Sequence, residues 1–395
     1  MVLSTKKYPP DGRVEREARD LIRDGHNLYL MARRGPNQPA VEVVDGVNVI
    51  RVPLPFQHKK AIADFIYFFF QRYLVFFSII RACRRHKIDA LHVHDLPYAI
   101  ATVLAGKLLN IDVVFDMHEY YTVMLEMSFE AIAYRKFKFF AFILLSILKA
   151  EEKIATRWSK KIIVVADEHI QRIISLGISP ENIVVVTNTE DIDHFSGFDI
   201  DESLALEYSD DFILLYVGGF SPHRGLDTAI KAMPAVLKKI PNAKLMLVGD
   251  GCTMGELKQL TEKMGLENEV IFVGFQPFAK LPSYIKMCDI GLIPHISTPH
   301  IETTMPNKIF QFMMLGKPVI VSSVRPMKRV VDDARCGLVF DVGDEKSLAD
   351  TILQLKDKEI RNKLGKNGKK AVENKYNWEK TAQALLEIYR GKIES

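Results

Sequence analysis

Short runs of β-branched and aliphatic residues recur along this chain, and each is followed by a longer stretch with amphipathic spacing. In the first half the runs fall at Ala90–His94, Val113–Phe115, Lys161–Val165 and Asn182–Val186. In the second half they fall at Phe212–Val217, Lys244–Val248, Val270–Val273, Ile290–Ile293 and Pro318–Val321. Helical patterns such as Gly225–Lys239 and Asn307–Leu315 lie between them. A strand that is apolar at every position has no face to give to solvent, so its sheet must be covered on both sides. Parallel strands joined by helices meet that need. The fold class is therefore α/β, with doubly wound sheets.

The rhythm breaks between Asp191 and Asp211, where acidic and small residues cluster, and then starts afresh. A chain of 395 residues is long enough for more than one domain. We read 1–190 as one domain, 191–211 as a linker and 212–375 as a second domain. Residues 376–395 read as a closing helix that packs back towards the first domain. Two such domains facing across a cleft would bind ligands there, beyond the carboxyl ends of their strands.

Hydrophobic residues make up 48% and charged residues 26%, which excludes a disordered or fibrous chain. The four cysteines, Cys83, Cys252, Cys288 and Cys336, lie far apart and form neither a zinc pattern nor a disulfide framework. Residues 1–190 carry 26 Lys+Arg against 21 Asp+Glu, a net of +5, while the remainder carries 27 against 28. A basic first half suits an anionic surface or substrate. Tyr8-Pro9-Pro10-Asp11-Gly12 interrupts any secretory signal, and Phe65–Ile80, broken by Gln71 and Arg72, is too short and polar to span a bilayer. We expect a cytoplasmic protein, soluble or peripheral on the cytoplasmic face of the membrane. Residues 65–85 and 134–149 mix aromatic and aliphatic clusters with basic residues, which suits interfacial helices; buried core helices are the alternative. No basic helix-turn-helix pattern appears, so no nucleic acid is expected.

Four segments follow strands or open helices and carry candidate chemistry. Gly218-Gly219-Phe220-Ser221-Pro222-His223-Arg224-Gly225 runs from a strand through a glycine pair to a cation. Glycines let amides approach an anion, and Arg224 offers a forked donor for phosphate; a tight turn with a solvated arginine is the alternative. Thr303-Thr304-Met305-Pro306-Asn307-Lys308-Ile309-Phe310-Gln311 places proline at an expected helix start, with free amides from Thr304 to Lys308. Lys308 and Gln311 then share one face, the first for phosphate charge and the second for a hydroxyl. Asp116-Met117-His118-Glu119 follows a strand, so His118 is placed to meet a substrate oxygen, with His94 and Asp95 orienting the same loops. His92 and His94 are taken to face opposite sides of their strand, so no metal is expected. In Asp11-Gly12-Arg13-Val14-Glu15-Arg16-Glu17, Gly12 permits close ligand approach, and Arg13 pairs with an anionic group or an acid at the domain interface. The triplets Asp191–Asp193 and Asp199–Asp201 are read as solvated acids.

Taken together, in this order and spacing, these segments resemble the GT-B glycosyltransferases of the retaining family GT4, over nearly the whole chain. Leu247-Val248-Gly249-Asp250-Gly251, Met305–Ile320 and the closing Tyr376-Asn377-Trp378-Glu379-Lys380 add to the likeness. The resemblance implies two Rossmann-like domains, the first for the acceptor and the second for a nucleoside-diphosphate sugar, with no tightly bound cofactor. It places the diphosphate cation on Arg224, where the family more often has lysine. The family's usual neighbouring arginine falls on Gly219, with Lys308 as substitute. The paired glutamates fall on Thr303 and Gln311, with Glu302 beside Thr303, and the histidine near the donor sugar on His118. Gly12, Gly218, Thr304, Met305 and Pro306 complete the implied donor site; Arg13, His94, Asp95 and Glu119 fall on the acceptor side. The first strand, Met1 to Thr5, is shorter than the family's, which suggests a clipped N-terminus.

The resemblance further implies sugar transfer with retention at the anomeric carbon to a hydroxyl of a glycan or lipid-linked acceptor, in cell-surface glycan or glycolipid synthesis. The alternatives are a sugar-nucleotide epimerase of similar fold, or a binding partner that keeps the fold and has lost turnover with its glutamates.

Overall fold

The computed structural model describes residues 1–3, 8–54, 61–131 and 138–390, with the backbone alone at 61–69, 128–131 and 138–140. The chain divides into two compact units, one of residues 1–187 with 382–395 and one of residues 188–381. The segment 191–211, read above as a linker, lies wholly in the second unit and contains the short helices Ile192–Ser196 and Glu202–Glu207. Aspartates cap both: Asp191 accepts from the His194 amide and Asp201 from the Ser203 amide, so two of the acids read as merely solvated hold helix starts.

In the first unit the strands Ala90–His94, Asp112–Met117, Lys161–Val164 and Ile183–Val185 pair in that order, all parallel. A second group, Tyr29–Arg33, Val47–Val52 and Val41–Val44, joins this sheet through Val2, which bridges Met31 on one side and Val93 on the other. Among the described strands only Val41–Val44 runs antiparallel. The turn Asp45-Gly46, both at positive φ, makes that hairpin, as Asp-Gly between two β-branched runs should. The core gathers Val93, Phe115, Ile162 and Val164 from the strands with Val103, Leu148 and Ala155 from the helices.

The second unit is a six-stranded, wholly parallel sheet in the order Val270–Gly274, Ala243–Val248, Phe212–Val217, Ile290–Ile293, Val319–Ser322 and Gly337–Phe340. All six residues of Phe212–Val217 are buried, as expected for a central strand covered on both faces. The winding reverses between Phe212–Val217 and Ile290–Ile293, and at such a switch point a crevice opens past the carboxyl ends of the strands. The helix Lys308–Met314 packs tightly here: a Cβ on Gly291 would meet the Phe312 ring at 2.5 Å.

Candidate functional site

The loops at that switch point belong to the second unit and carry two cations. Gly218 sits at φ +130°, a conformation that strains other residues, and a Cβ there would lie 2.7 Å from Lys308 Nζ and displace the ammonium. Gly225 sits at φ +64°, with its missing Cβ 1.9 Å from the Pro294 carbonyl oxygen. The loop after Phe212–Val217 is thereby held against the loop after Ile290–Ile293. Arg224 Nη1 approaches His295 Nε2 at 3.2 Å. Burial first, and then the positive charge of Arg224, keep His295 well below the usual imidazole range. The same two causes push His223 down to about 4. The neutral His295 ring can therefore accept from Arg224 at Nε2 and carry its own proton at Nδ1.

Lys308 is only 7% exposed, and its Nζ lies 4.0 Å from the centre of the Tyr216 ring. The Tyr216 hydroxyl donates to the Gly219 carbonyl at 2.9 Å, which fixes the ring beneath the ammonium. Burial, and secondarily Arg224, hold Lys308 well below its ordinary lysine range. Among the described residues no carboxylate pairs with Lys308 or Arg224. Burying an ammonium costs several kcal/mol, and a desolvated cation–π contact returns only about 2 kcal/mol. Two cations converge without a counter-ion, an arrangement that an anion would complete.

The remaining residues of the segment differ from expectation. The helix begins at Lys308, with Asn307 at its cap next to Pro306, and is seven residues long. Within the expected row the Thr304 amide is bonded to the Ile301 carbonyl, and just beyond it those of Ile309, Phe310 and Gln311 are bonded to Pro306 and Asn307. Met305 is buried and Pro306 partly so. The Thr303 hydroxyl is engaged by the Pro299 and His300 carbonyls, both at 3.0 Å. Glu302 is held by Arg325 and Ser297. Gln311 is buried and its Nε2 donates to the Glu190 carboxylate at 2.9 Å. Gly219 is exposed, and a Cβ there would meet nothing closer than the Asp250 carbonyl oxygen at 3.9 Å.

A second polar cluster lies inside the first unit. Asp11 caps the helix Gly12–Arg23, accepting from the Val14 amide while its own amide donates to Glu15. Gly12, the first residue of that helix, is not closely approached: its missing Cβ would find only the Arg16 guanidinium, at 3.7 Å. One helical turn brings Arg13 and Glu17 to the same buried face. Arg13 Nε lies 2.8 Å from Glu17, its Nη2 3.1 Å from Asp116, and its Nη1 donates to the Val186 carbonyl. The acids that Arg13 meets are thus within its own unit. His118 Nε2 lies 2.9 Å from Asp116 Oδ2 and 3.1 Å from His94 Nδ1, and its amide donates to Asp95. Burial opposes charge on His118, but Asp116 and then Asp95 outweigh it and raise the ring to about 9. Glu119, next in sequence, is exposed.

His92 and His94 do not face opposite sides of their strand. Residues two apart in a strand share a face, and these rings stack with centres 4.3 Å apart. His92 Nδ1 meets the Tyr389 hydroxyl at 2.8 Å, which ties the last helix, Trp378–Arg390, to this cluster. Ligand atoms of Glu17, His92, His94 and Asp116 lie within 4.8 Å of one another, a spacing a metal ion could use. The Arg13 guanidinium already sits against both carboxylates, so a dication would be set beside a fixed positive charge.

The structure thus brings Gly218, Arg224 and Lys308 together in one unit and Arg13, His94, Asp95 and His118 together in the other. Tyr216, His295, Glu190, Glu17 and Asp116 join these groups without having been assigned roles from sequence. Glu17 was within reach, being one helical turn from Arg13; Glu190 was not, because 121 residues separate it from Gln311.

A family model described as Glycosyl transferases group 1 matches residues 200–371, and one described as Glycosyltransferase Family 4 matches residues 13–194. An uncharacterized glycosyltransferase of Methanocaldococcus jannaschii is 24% identical over 392 residues, covering 95% of this chain and 93% of the relative. The UDP-Gal:alpha-D-GlcNAc-diphosphoundecaprenol alpha-1,3-galactosyltransferase of Escherichia coli is 22% identical over 321 residues, 79% of this chain and 78% of that one. Among solved structures, sucrose-phosphate synthase from Thermosynechococcus elongatus matches with a TM-score of 0.76 at 20% identity, covering 100% of this chain and 98% of its own. Anabaena HepE in complex with UDP-glucose gives 0.71 at 18% identity, covering 99% and 98%. The two family models account for both halves of the sequence, and the chain is a GT-B glycosyltransferase of the group 1, family 4 type.

Proposed function

We propose that the protein is a retaining glycosyltransferase that moves a sugar from a nucleoside-diphosphate sugar to a hydroxyl of a glycan or lipid-linked acceptor, in cell-surface glycan or glycolipid synthesis. The observation that carries this reading is the pair of buried Lys308 and partly buried Arg224 at a strand switch point, with no carboxylate partner among the described residues. A diphosphate supplies the missing charge, and the same cations stabilise it as it departs. In this reading Gly218 and Gly219 leave space for the phosphates, and Gln311 accepts from a hydroxyl of the nucleotide. His118 serves the reacting sugar as a charged donor held by Asp116, while Arg13, His94 and Asp95 support that ring. The acceptor oxygen attacks the anomeric carbon from the face that the diphosphate leaves. The carbon–oxygen bond to phosphate breaks, and the acceptor's proton passes to the departing phosphate oxygen. A panel of UDP-, GDP- and ADP-sugars with a lipid-linked acceptor tests this by released nucleoside diphosphate and by NMR of the product anomer. Retention is expected; an inverted product would overturn the mechanism, and interconversion of free nucleotide sugars without transfer would favour an epimerase.

A peripheral membrane role rests on a separate observation. On the helix Ala61–His86, Phe70, Tyr73 and Phe77 are 53%, 65% and 65% exposed, and their spacing of three and four puts them on one face. Exposed Arg81 and Arg84 continue that face. An aromatic stripe followed by cations suits an anionic bilayer surface, where a lipid-linked acceptor would be met. No helix among the described residues is long and apolar enough to cross a membrane. Residues 134–137 of the second stretch lie outside the described residues, as do the side chains of 65–69 and 138–140; Phe142 beyond them is 70% exposed.

A further inference from the structure

Gln311 stands where the family likeness leads one to expect a carboxylate, and the structure puts a carboxylate beside it. Glu190 is fully buried, and its Oε2 accepts from Gln311 Nε2 at 2.9 Å. Glu190 is itself anchored through its backbone, since its carbonyl accepts from the Trp378 amide at 3.0 Å. The preceding Thr189 hydroxyl donates to Thr381 at 2.8 Å. On the other side, Gln311 is fixed by a seven-residue helix in which every side chain is buried.

The chemistry of this pair settles the direction of the Gln311 amide. An ionised carboxylate only accepts hydrogen bonds, whereas an amide end can either donate or accept. The nitrogen of Gln311 must therefore face Glu190, which turns the carbonyl Oε1 away from it. A free glutamine would populate both orientations of its amide. We propose that Glu190 is a positioning residue of the donor site, holding Gln311 so that Oε1 is presented to a hydroxyl of the nucleotide sugar. This rests on the reading of Gln311 as a donor-site residue given above. The acidic group expected at 311 is on this view present at 190, and acts through an amide instead of touching the ligand.

The test uses the full-length protein and whichever of UDP, GDP and ADP binds tightest, together with its 2′-deoxy and 3′-deoxy forms. Gln311→Ala tests the underlying reading: it should weaken binding and erase discrimination against one deoxy form, and unchanged binding would remove Gln311 from the site. Given that loss, Glu190→Ala should raise the KM for the nucleotide sugar about three- to tenfold, the effect of one hydrogen bond between neutral groups, with kcat within about twofold. It should also flatten the deoxy discrimination. A Glu190→Ala protein that melts earlier but discriminates as the wild type does would overturn the proposal, because Glu190 would then be structural. Gln311→Glu alone sets two carboxylates against each other and should bind poorly. The exchange Glu190→Gln with Gln311→Glu rebuilds the pair with its roles reversed and should restore both KM and discrimination. Should Glu190→Ala fail to fold, failure of the exchanged protein to recover KM would still overturn it.

Discussion

The ammonium of Lys308 stands 4.0 Å from the centre of the Tyr216 ring, and no acid shares that space among the described residues. The ring offsets part of the cost of burial, and the rest is left for a ligand. Lys308→Met should therefore raise the melting temperature, since it removes a poorly compensated buried charge of similar length. The same change should weaken nucleoside-diphosphate binding about 10- to 100-fold, the range of a charged hydrogen bond. Calorimetric titration and thermal melting on one sample decide the point; a variant both less stable and equally tight would refute it.

Gly219 occupies open space, and a Cβ added to it would have only the Asp250 carbonyl oxygen within 4 Å. Gly219→Ala should leave the melting temperature unchanged. Gly219→Arg should be tolerated too, and should tighten nucleoside-diphosphate binding by about three- to tenfold by adding a third cation. Weaker binding at undiminished stability would mean that the loop faces elsewhere.

His118 and Glu17 both hold protons in the folded state that the unfolded chain releases sooner, at about 9 against 6.5 for the imidazole and about 8 against 4.5 for the carboxyl. For Glu17 burial is the main cause, with Arg13 opposing it. Where the folded state binds more protons, stability falls as pH rises. The His118 contribution is complete below about 6.5 and lost through about 9, so melting temperatures should decline from pH 7 to 9. Asp116→Asn removes the main partner of His118 and should bring its NMR titration below that of the wild type. A His118 midpoint unmoved by this change would contradict the assigned cause.

The exposed stripe Phe70, Tyr73 and Phe77 should carry the protein onto vesicles containing phosphatidylglycerol and not onto phosphatidylcholine alone. Arg81→Gln and Arg84→Gln should each weaken co-sedimentation about fivefold, the equivalent of about 1 kcal/mol per cation. Replacing the three aromatics by serine should abolish it with no change in melting. Equal binding to both vesicle types would argue against an electrostatic surface role.

The central strands are legible because burial on both faces leaves a continuous apolar run, as in Phe212–Val217 and Ile290–Ile293, whose limits the structure reproduces. Ala90–His94 is likewise reproduced, while the ends of other expected strands shift by a residue or two, as at Asp112–Met117. The hairpin around Asp45-Gly46 carries its own local turn signal, but its strand Val41–Val44 is short and half exposed and so lacks the apolar run that marks the others. The expected separation of His92 and His94 neglects the two-residue period of a strand. Arg224 and Lys308 are readable as cations near helix starts, but that they share one hollow depends on the strand order. Glu190 is illegible for the same reason: nothing local to Thr187-Asn188-Thr189-Glu190 says which helix will lie against it.

The last helix has a consequence for how this protein is made. Ala382, Leu385, Leu386 and Tyr389 are buried, and Tyr389 and Arg390 bind His92 and Asp24 of the unit that the chain began. The intervening unit, residues 188–381, is continuous and has its own core. On a translating ribosome the portion synthesised first must therefore wait for these contacts until residues 382–390 have cleared the exit tunnel. The later-made portion can already be complete by then, which reverses the usual order of vectorial folding.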